Sequence, residues 1–490
     1  MKTIKYVAVI STLFFAIACK DFSEMQIDPN RPTQTHPGLL LTNIETSTFN
    51  VIQVSAMLAS RMMVFTDGTA DEQYYGWQRA GFERYNILRQ IVKMEEEADR
   101  VGLENYKALA LFLKSYNIIE ITKVFGDVPY SNALLASGGV FNPTYDLQED
   151  IYLKVLDDLD LANASLDADN GAITGDVIYG GDITQWKKLI NSYTLRILIS
   201  LAHKEANTAL DVVNRFKTIV DNPDTYPIFE SNGDNAALQF QDAVNNRYPY
   251  LNNNNFKTAY YMEESFVDLL KMLEDPRLFT FADPTPQSIE DELDDDDFDA
   301  YGGLGGSAPL ATNTQRLVNG EASRVDSRYY LDPVNEPSVL LSYAEVEFTL
   351  AEAAYHEWTA DDPEDHYNEG IRASMSFYNF SSSDQDDYLD LYQVGYENDE
   401  GVNGLEQIIT QKYINYFLNG GWEPFYNQLR TGFPEFRVDE GGILNNGLIP
   451  KRWMYPQDEL QLNTANVTAA IARQFATDNI NEVMWLYKPE

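Results

Sequence analysis

The one thiol of the chain is Cys19, directly after Ala16-Ile17-Ala18. Before it stand Lys2, Lys5 and an apolar run from Tyr6 to Ala18; after it Lys20, Asp21, Ser23 and Glu24 turn the chain polar at once. A basic start, a short apolar stretch and small residues before a cut make a secretory signal. A cysteine at that cut predicts acylation, with Cys19 as the lipid-bearing first residue of the mature chain. The run of about 13 residues falls short of the roughly 20 that a spanning helix needs. Several acyl chains on one residue hold a soluble body firmly to a membrane. Residues 1–18 therefore read as a signal peptide and 19–38 as an extended tether. With no second cysteine there is no internal disulfide, so the exported fold must rest on packing.

A second group with chemical potential is the acidic run Asp294-Asp295-Asp296-Asp297-Phe298-Asp299. Asp294, Asp296 and Asp299 offer the hard oxygens that calcium takes. The run has neither EF-hand spacing nor its glycine, so a solvated acidic loop is the favoured reading. Gly302-Gly303 and Gly305-Gly306 behind it read as an exposed, flexible turn. Catalytic chemistry finds no constellation. The histidines are His36, His203, His356 and His366, with no His-Glu-x-x-His, phosphate-binding glycine motif, nucleophile elbow or cysteine pair. Among 76 acids nothing singles out a carboxylate pair for glycoside hydrolysis. Neither an enzyme nor a cofactor is expected. A net charge of −41 argues against nucleic acid and anionic ligands, and fits a neutral ligand, a cation or plain solubility. The 31 tyrosines suit ligands with polar edges and apolar faces, such as sugars or peptides, although most read as helix-seam packing.

The elements that must position any site are mainly helical. Apolar periodicity predicts helices from Leu39 into the sixties and over 86–100, 103–124, 186–202, 263–273, 340–356, 367–377, 405–417 and 467–474. Gly126 and Pro129 end the strongest of them. Asp146 and Glu149 have capping-box spacing before another helix that carries Ile151, Val155 and Leu159. The order of helices predicts stacked hairpins, tetratricopeptide-like but without a clean 34-residue period. Residues 222–337 are rich in Asn, Asp, Gly and Pro and predict long loops with short strands. The expected fold class is mostly α, with helical scaffold at about 39–221 and 338–480 and a loop-rich region at about 222–337. All of it belongs to one large domain over 39–490.

These blocks resemble the SusD/RagB family of outer-membrane lipoproteins, and within it the SusD-like branch described as starch-binding associating with the outer membrane. The matching pieces run in order along nearly the whole mature chain. They include Phe125-Gly126-Asp127-Val128-Pro129-Tyr130, Pro143-Thr144-Tyr145-Asp146, Asp176 to Asp182 with Trp186, Asp275-Pro276-Arg277, and Ser342-Tyr343-Ala344-Glu345. Gly370-Ile371-Arg372-Ala373, Gln411-Lys412-Tyr413, Arg430-Thr431-Gly432 and Ile449-Pro450 complete the series. The family commonly has a paired arginine before Thr-Gly; Leu429-Arg430 stands here instead, which bears on local ion pairing.

The resemblance implies a helical fold around four tetratricopeptide-like units. It also implies a non-catalytic, cofactor-free nutrient binder, usually of glycans and sometimes of peptides. Such a protein sits as a lid over a SusC-like TonB-dependent transporter, facing the cell exterior. Asp21 and Glu24 resemble the signals that send such lipoproteins to the outer face. Binding surfaces in the family come from the loops after the first helices and from the irregular middle. The first offers Tyr74, Tyr75, Trp77 and Tyr85 for stacking, with Arg79 and Asn86 for hydroxyls. The second offers Arg247, Tyr248, Tyr250, Tyr301, Tyr329 and Tyr330. Asp127, Pro129, Trp186, Asp275 and Arg277 read as structural.

Overall fold

The computed structural model describes residues 34–397 and 403–489. The expected signal peptide, Cys19 and most of the tether lie outside the described residues. Numbering the helices of eight residues or more, the chain opens with α1 (Pro37–Thr48), α2 (Tyr85–Val101), α3 (Glu104–Phe125), α4 (Gln148–Ser165), α5 (Ile183–Ser200) and α6 (Val212–Asp221). Each packs on the next in turn, and α9 (Tyr343–Tyr355) pairs with α10 (Pro363–Phe377) in the same manner. Between the two groups lie α7 (Glu264–Met272) and α8 (Leu310–Val318). After them come α11 (Ser382–Leu389), α12 (Gly404–Ile414), α13 (Glu423–Thr431) and α14 (Thr464–Gln474). The architecture is mostly α, a tetratricopeptide-like stack of helical hairpins.

Local chemistry explains the boundaries. α3 is buried on nearly every side, and it stops where Gly126 takes φ +86°, a backbone state that side-chain-bearing residues avoid. Asp127 then does two jobs. Its Oδ1 accepts the first amide of α4, from Gln148 at 2.8 Å, and its Oδ2 accepts Arg473 Nε at 2.5 Å. This corrects the expected capping box. Asp146 lies before α4 and instead accepts the amides of Tyr130 and Ser131, at 2.7 and 3.0 Å, folding the preceding loop back. Asp176 organises its turn likewise, accepting the amides of Ile178, Tyr179 and Gly181 and the indole of buried Trp186.

Two other expectations need correction. The first helix does not run into the sixties. Ser338 Oγ donates to Phe49 O and accepts the Val51 amide, so the chain leaves α1 and resumes in a short helix, Val54–Ala59. The glycine pairs at 302–306 are not an exposed turn. Leu304 exchanges backbone hydrogen bonds with Met262 O and Glu264 N, and a Cβ on Gly303 would lie 2.4 Å from Glu264 Cα. These glycines admit a close crossing of two chain segments.

Two short antiparallel sheets stitch the middle to the scaffold. β1 (Met63–Phe65) pairs with β3 (Tyr260–Met262), Met63 opposite Met262. β2 (Ala236–Leu238) pairs with β4 (Ser338–Leu341), with a register shift between Ala236 and Ala237. The apolar residues gather in two large clusters. One surrounds α1 to α6; the other joins the middle to α9–α13. Tyr343, Leu429 and Trp453 pack against both and mark the seam. Leu429, the departure from the pattern that the resemblance implied, is therefore a packing residue. Its neighbour Arg430 reaches buried Glu352, with Nη2 2.9 Å from Oε2. Burial works against charge on Glu352, yet the arginine holds its carboxyl below the usual range.

Candidate functional site

A cleft of about 820 Å³ opens along this seam, lined among others by Gln53, Glu83, Arg84, Glu120, Trp422 and Trp453. Five parts of the chain converge on it, Gln53 before the helix Val54–Ala59 being one. The loop after Trp77 contributes Ala80 to Arg84, the end of α3 contributes Glu120 to Phe125, Trp422 stands at the head of α13, and Trp453 follows the loop before α14. Trp422 and Trp453 are half-buried, and their rings meet edge to face, 4.9 Å between centroids at 86°. They form an apolar corner. Gln53 Oε1 fixes Trp422 by accepting its indole N–H at 3.1 Å, while the Gln53 amide nitrogen bonds to no described residue.

The same lining also carries charge. Arg84 Nη1 donates to Asn117 Oδ1 at 3.2 Å, and Nη2 lies 3.5 Å from Glu120 Oε2. Burial works against the arginine's charge, but Glu120 beside it raises its pKa and keeps it cationic. Glu83 is exposed at the rim. The corner offers indole surface to an apolar C–H face, and the charged groups offer a planar donor and carboxylate acceptors to hydroxyls. Among the described residues no three His, Cys, Asp or Glu cluster to hold a metal. Asp294, Asp296 and Asp299 are exposed, and Asp299 lies 3.4 Å from Lys271.

The structure moves most of the expected stacking residues into the interior. Tyr75 is fully buried, with its hydroxyl on Ala59 O at 2.8 Å. Tyr74 is buried too and donates to Ala308 O. Trp77 is only 4% exposed: it stacks on Trp453, 4.7 Å between centroids at 11°, and its indole N–H binds Arg452 O. Tyr248, Tyr301, Tyr329 and Tyr330 are buried in the second cluster, and Tyr250 stacks on Phe256. A ring covered on both faces holds the core and presents no platform. Arg79 is bound to Asp478 at 2.6 Å, and Asn86 is exposed and accepts from Arg89. Tyr85 donates to Pro129 O and lines a different cleft. Arg247 is exposed and paired with Asp242 at 2.7 Å. Trp422 and Trp453 were not among the expected site residues. Their signal is indirect: two tryptophans beside blocks that close the scaffold.

The family described as starch-binding associating with outer membrane, SusD-like, matches residues 29–456. The chain belongs to the SusD-like family. A Bacteroides vulgatus outer-membrane protein assigned to nutrient binding is 36% identical with a TM-score of 0.87, the match covering 93% of this chain and 100% of the other. A SusD homolog from Bacteroides fragilis is 38% identical with a TM-score of 0.86, covering 93% and 100%. A second from the same species is 28% identical with a TM-score of 0.84, again covering 93% and 100%. No curated protein matches. Membership makes this SusD-like chain a non-catalytic, outer-membrane-associated binding protein. No helix among its described residues is long and apolar enough to cross a membrane.

The loop-rich face of this SusD-like protein carries a proton-sensitive spot near Tyr330. Burial first, then the charge of nearby Asp326, pushes the Asp283 carboxyl up to about 6. Its unfolded value is about 3.9. The native state therefore favours the protonated form. That contribution is fully present below about pH 4 and is lost as pH rises through about 6. Asp283→Asn is expected to flatten the fall in unfolding midpoint across that window. An unchanged slope in chemical denaturation against pH refutes this.

Proposed function

We propose that this SusD-like chain captures oligosaccharides outside the cell and delivers them to a SusC-like TonB-dependent transporter, held to the outer face by the lipid on Cys19. The observation that carries the ligand class is the right-angled corner of Trp422 and Trp453 in one cleft with Arg84 and Glu120. Sugar rings pair an apolar face with a rim of hydroxyls, and this cleft pairs indole surface with planar polar groups. The family description, which names starch, points the same way.

Calorimetry of the purified body against oligosaccharide and peptide panels tests the ligand. Saturable heat from oligosaccharides, with ligand recovered intact, is expected. Heat from peptides alone, or cleavage by the pure protein, overturns the reading. Co-purification of a barrel transporter with the tagged chain from outer membranes tests delivery, and its absence removes that half.

A further inference from the structure

A second cleft, about 1050 Å³ in volume, lies between α1 and the loop that follows β2. Its wall on α1 carries Thr42 and Thr46, four residues apart and so on one face, with Asn50 just beyond the helix. The loop brings Gln239, Gln241, Asn245 and Asn246. The side-chain amides of Asn50, Gln239, Gln241, Asn245 and Asn246 bond to no described residue, and all five residues are exposed. Phe240 and Val177 supply apolar surface between them.

The loop is held in place. β2 enters it paired to β4. Gln241 N donates to Asn246 O at 2.7 Å, and Asn246 N donates back to Ala243 O at 2.9 Å, closing a tight turn. The chain leaves through Tyr248, whose amide binds Pro333 O at 2.8 Å and whose buried ring packs edge to face on Phe240 at 5.5 Å. Tyr248 thus supports the half-buried ring that lines the cleft.

We propose that this cleft is a second carbohydrate subsite, selective for neutral oligosaccharides. The inference rests on the proposed oligosaccharide binding and adds a place and a charge preference. Each primary amide donates and accepts at once, as each sugar hydroxyl does, so a ring of unpaired amides matches a polyol. Among the described residues no carboxylate lines the cleft, in a chain of net charge −41, and the one cation among them that does, Arg247, is already held by Asp242. An acidic sugar would meet no free counter-charge there and would enter against the field of the whole protein.

The probe is the tightest neutral binder among gluco-, manno-, xylo- and N-acetylchito-hexasaccharides, with an oligogalacturonate of equal length as charged control. Calorimetry compares the natural chain with Gln239→Ala/Asn246→Ala and with Trp453→Ala. Both amides are exposed and unbonded, so the double variant keeps its fold. Two sites are expected in the natural chain. The amide variant weakens one of them at least tenfold, Trp453→Ala weakens the other, and oligogalacturonate gives no heat at the amide site. A single site lost with Trp453→Ala and untouched by the amide variant overturns the second subsite while leaving the oligosaccharide reading in place. No heat from any member of the neutral panel overturns both.

Discussion

Asp275→Ala is expected to destabilise the protein by about 3–5 kcal/mol, because it strands a fully buried arginine. Arg277 and Asp275 are both 0% exposed. Arg277 Nη2 lies 2.5 Å from Asp275 Oδ2 and Nε 2.9 Å from Oδ1, a two-point grip. Nη1 donates to Ser374 Oγ at 2.8 Å, and Nη2 donates also to Gln411 Oε1 at 2.7 Å. Tyr388 donates its hydroxyl to Asp275 at 2.8 Å. One pair thereby ties the end of α7 to α10, α11 and α12. Burial works against the charge of Arg277, but Asp275 raises its pKa far enough to keep it charged. Removing the acid leaves that charge buried without its counter-ion. Removing both partners, as Asp275→Leu/Arg277→Met, leaves no orphan charge. The double variant should lose less than the sum of the singles. Urea melts of the four proteins measure this. Strict additivity would sink the argument.

The Asp275-Pro276-Arg277 block shows what was legible in the chain. Its residue types announced a fixed turn, and a structural role was expected. The partners Ser374, Tyr388 and Gln411 come from three later helices, and no local pattern names them. α3 was legible almost to the residue, since a long apolar stripe and Gly126 declare it. β1 and β3 have three residues each, too short for a period of two to register. The site fared differently for the same reason. Tyr75 and Trp77 are the residue types that stack on sugars, and the loop that holds them does border a cleft. Whether a ring is exposed depends on what arrives to cover it. Trp453 arrives from the far end of the chain, takes the face of Trp77, and becomes the surface residue in its place.

That exchange separates two tryptophans by experiment. Trp453→Ala is expected to weaken oligosaccharide binding at the seam cleft by about 30-fold or more, the effect of removing a central aromatic anchor worth about 2 kcal/mol. Trp453→Phe keeps an aromatic plane over Trp77 and should recover part of it. Trp77→Ala acts elsewhere. It empties a buried site bounded by Tyr75, Trp422, Phe425 and Trp453 and leaves Arg452 O without its donor. Its main cost should appear in stability, about 3–5 kcal/mol, as for other large core truncations. The two variants are therefore expected to dissociate: affinity falls most with Trp453, the denaturation midpoint most with Trp77. Calorimetry well below both midpoints, paired with urea melts, reads each effect separately. Equal affinity losses in two well-folded variants would mean that Trp77 reaches the ligand itself, and the corner of Trp422 and Trp453 would no longer be the recognition surface.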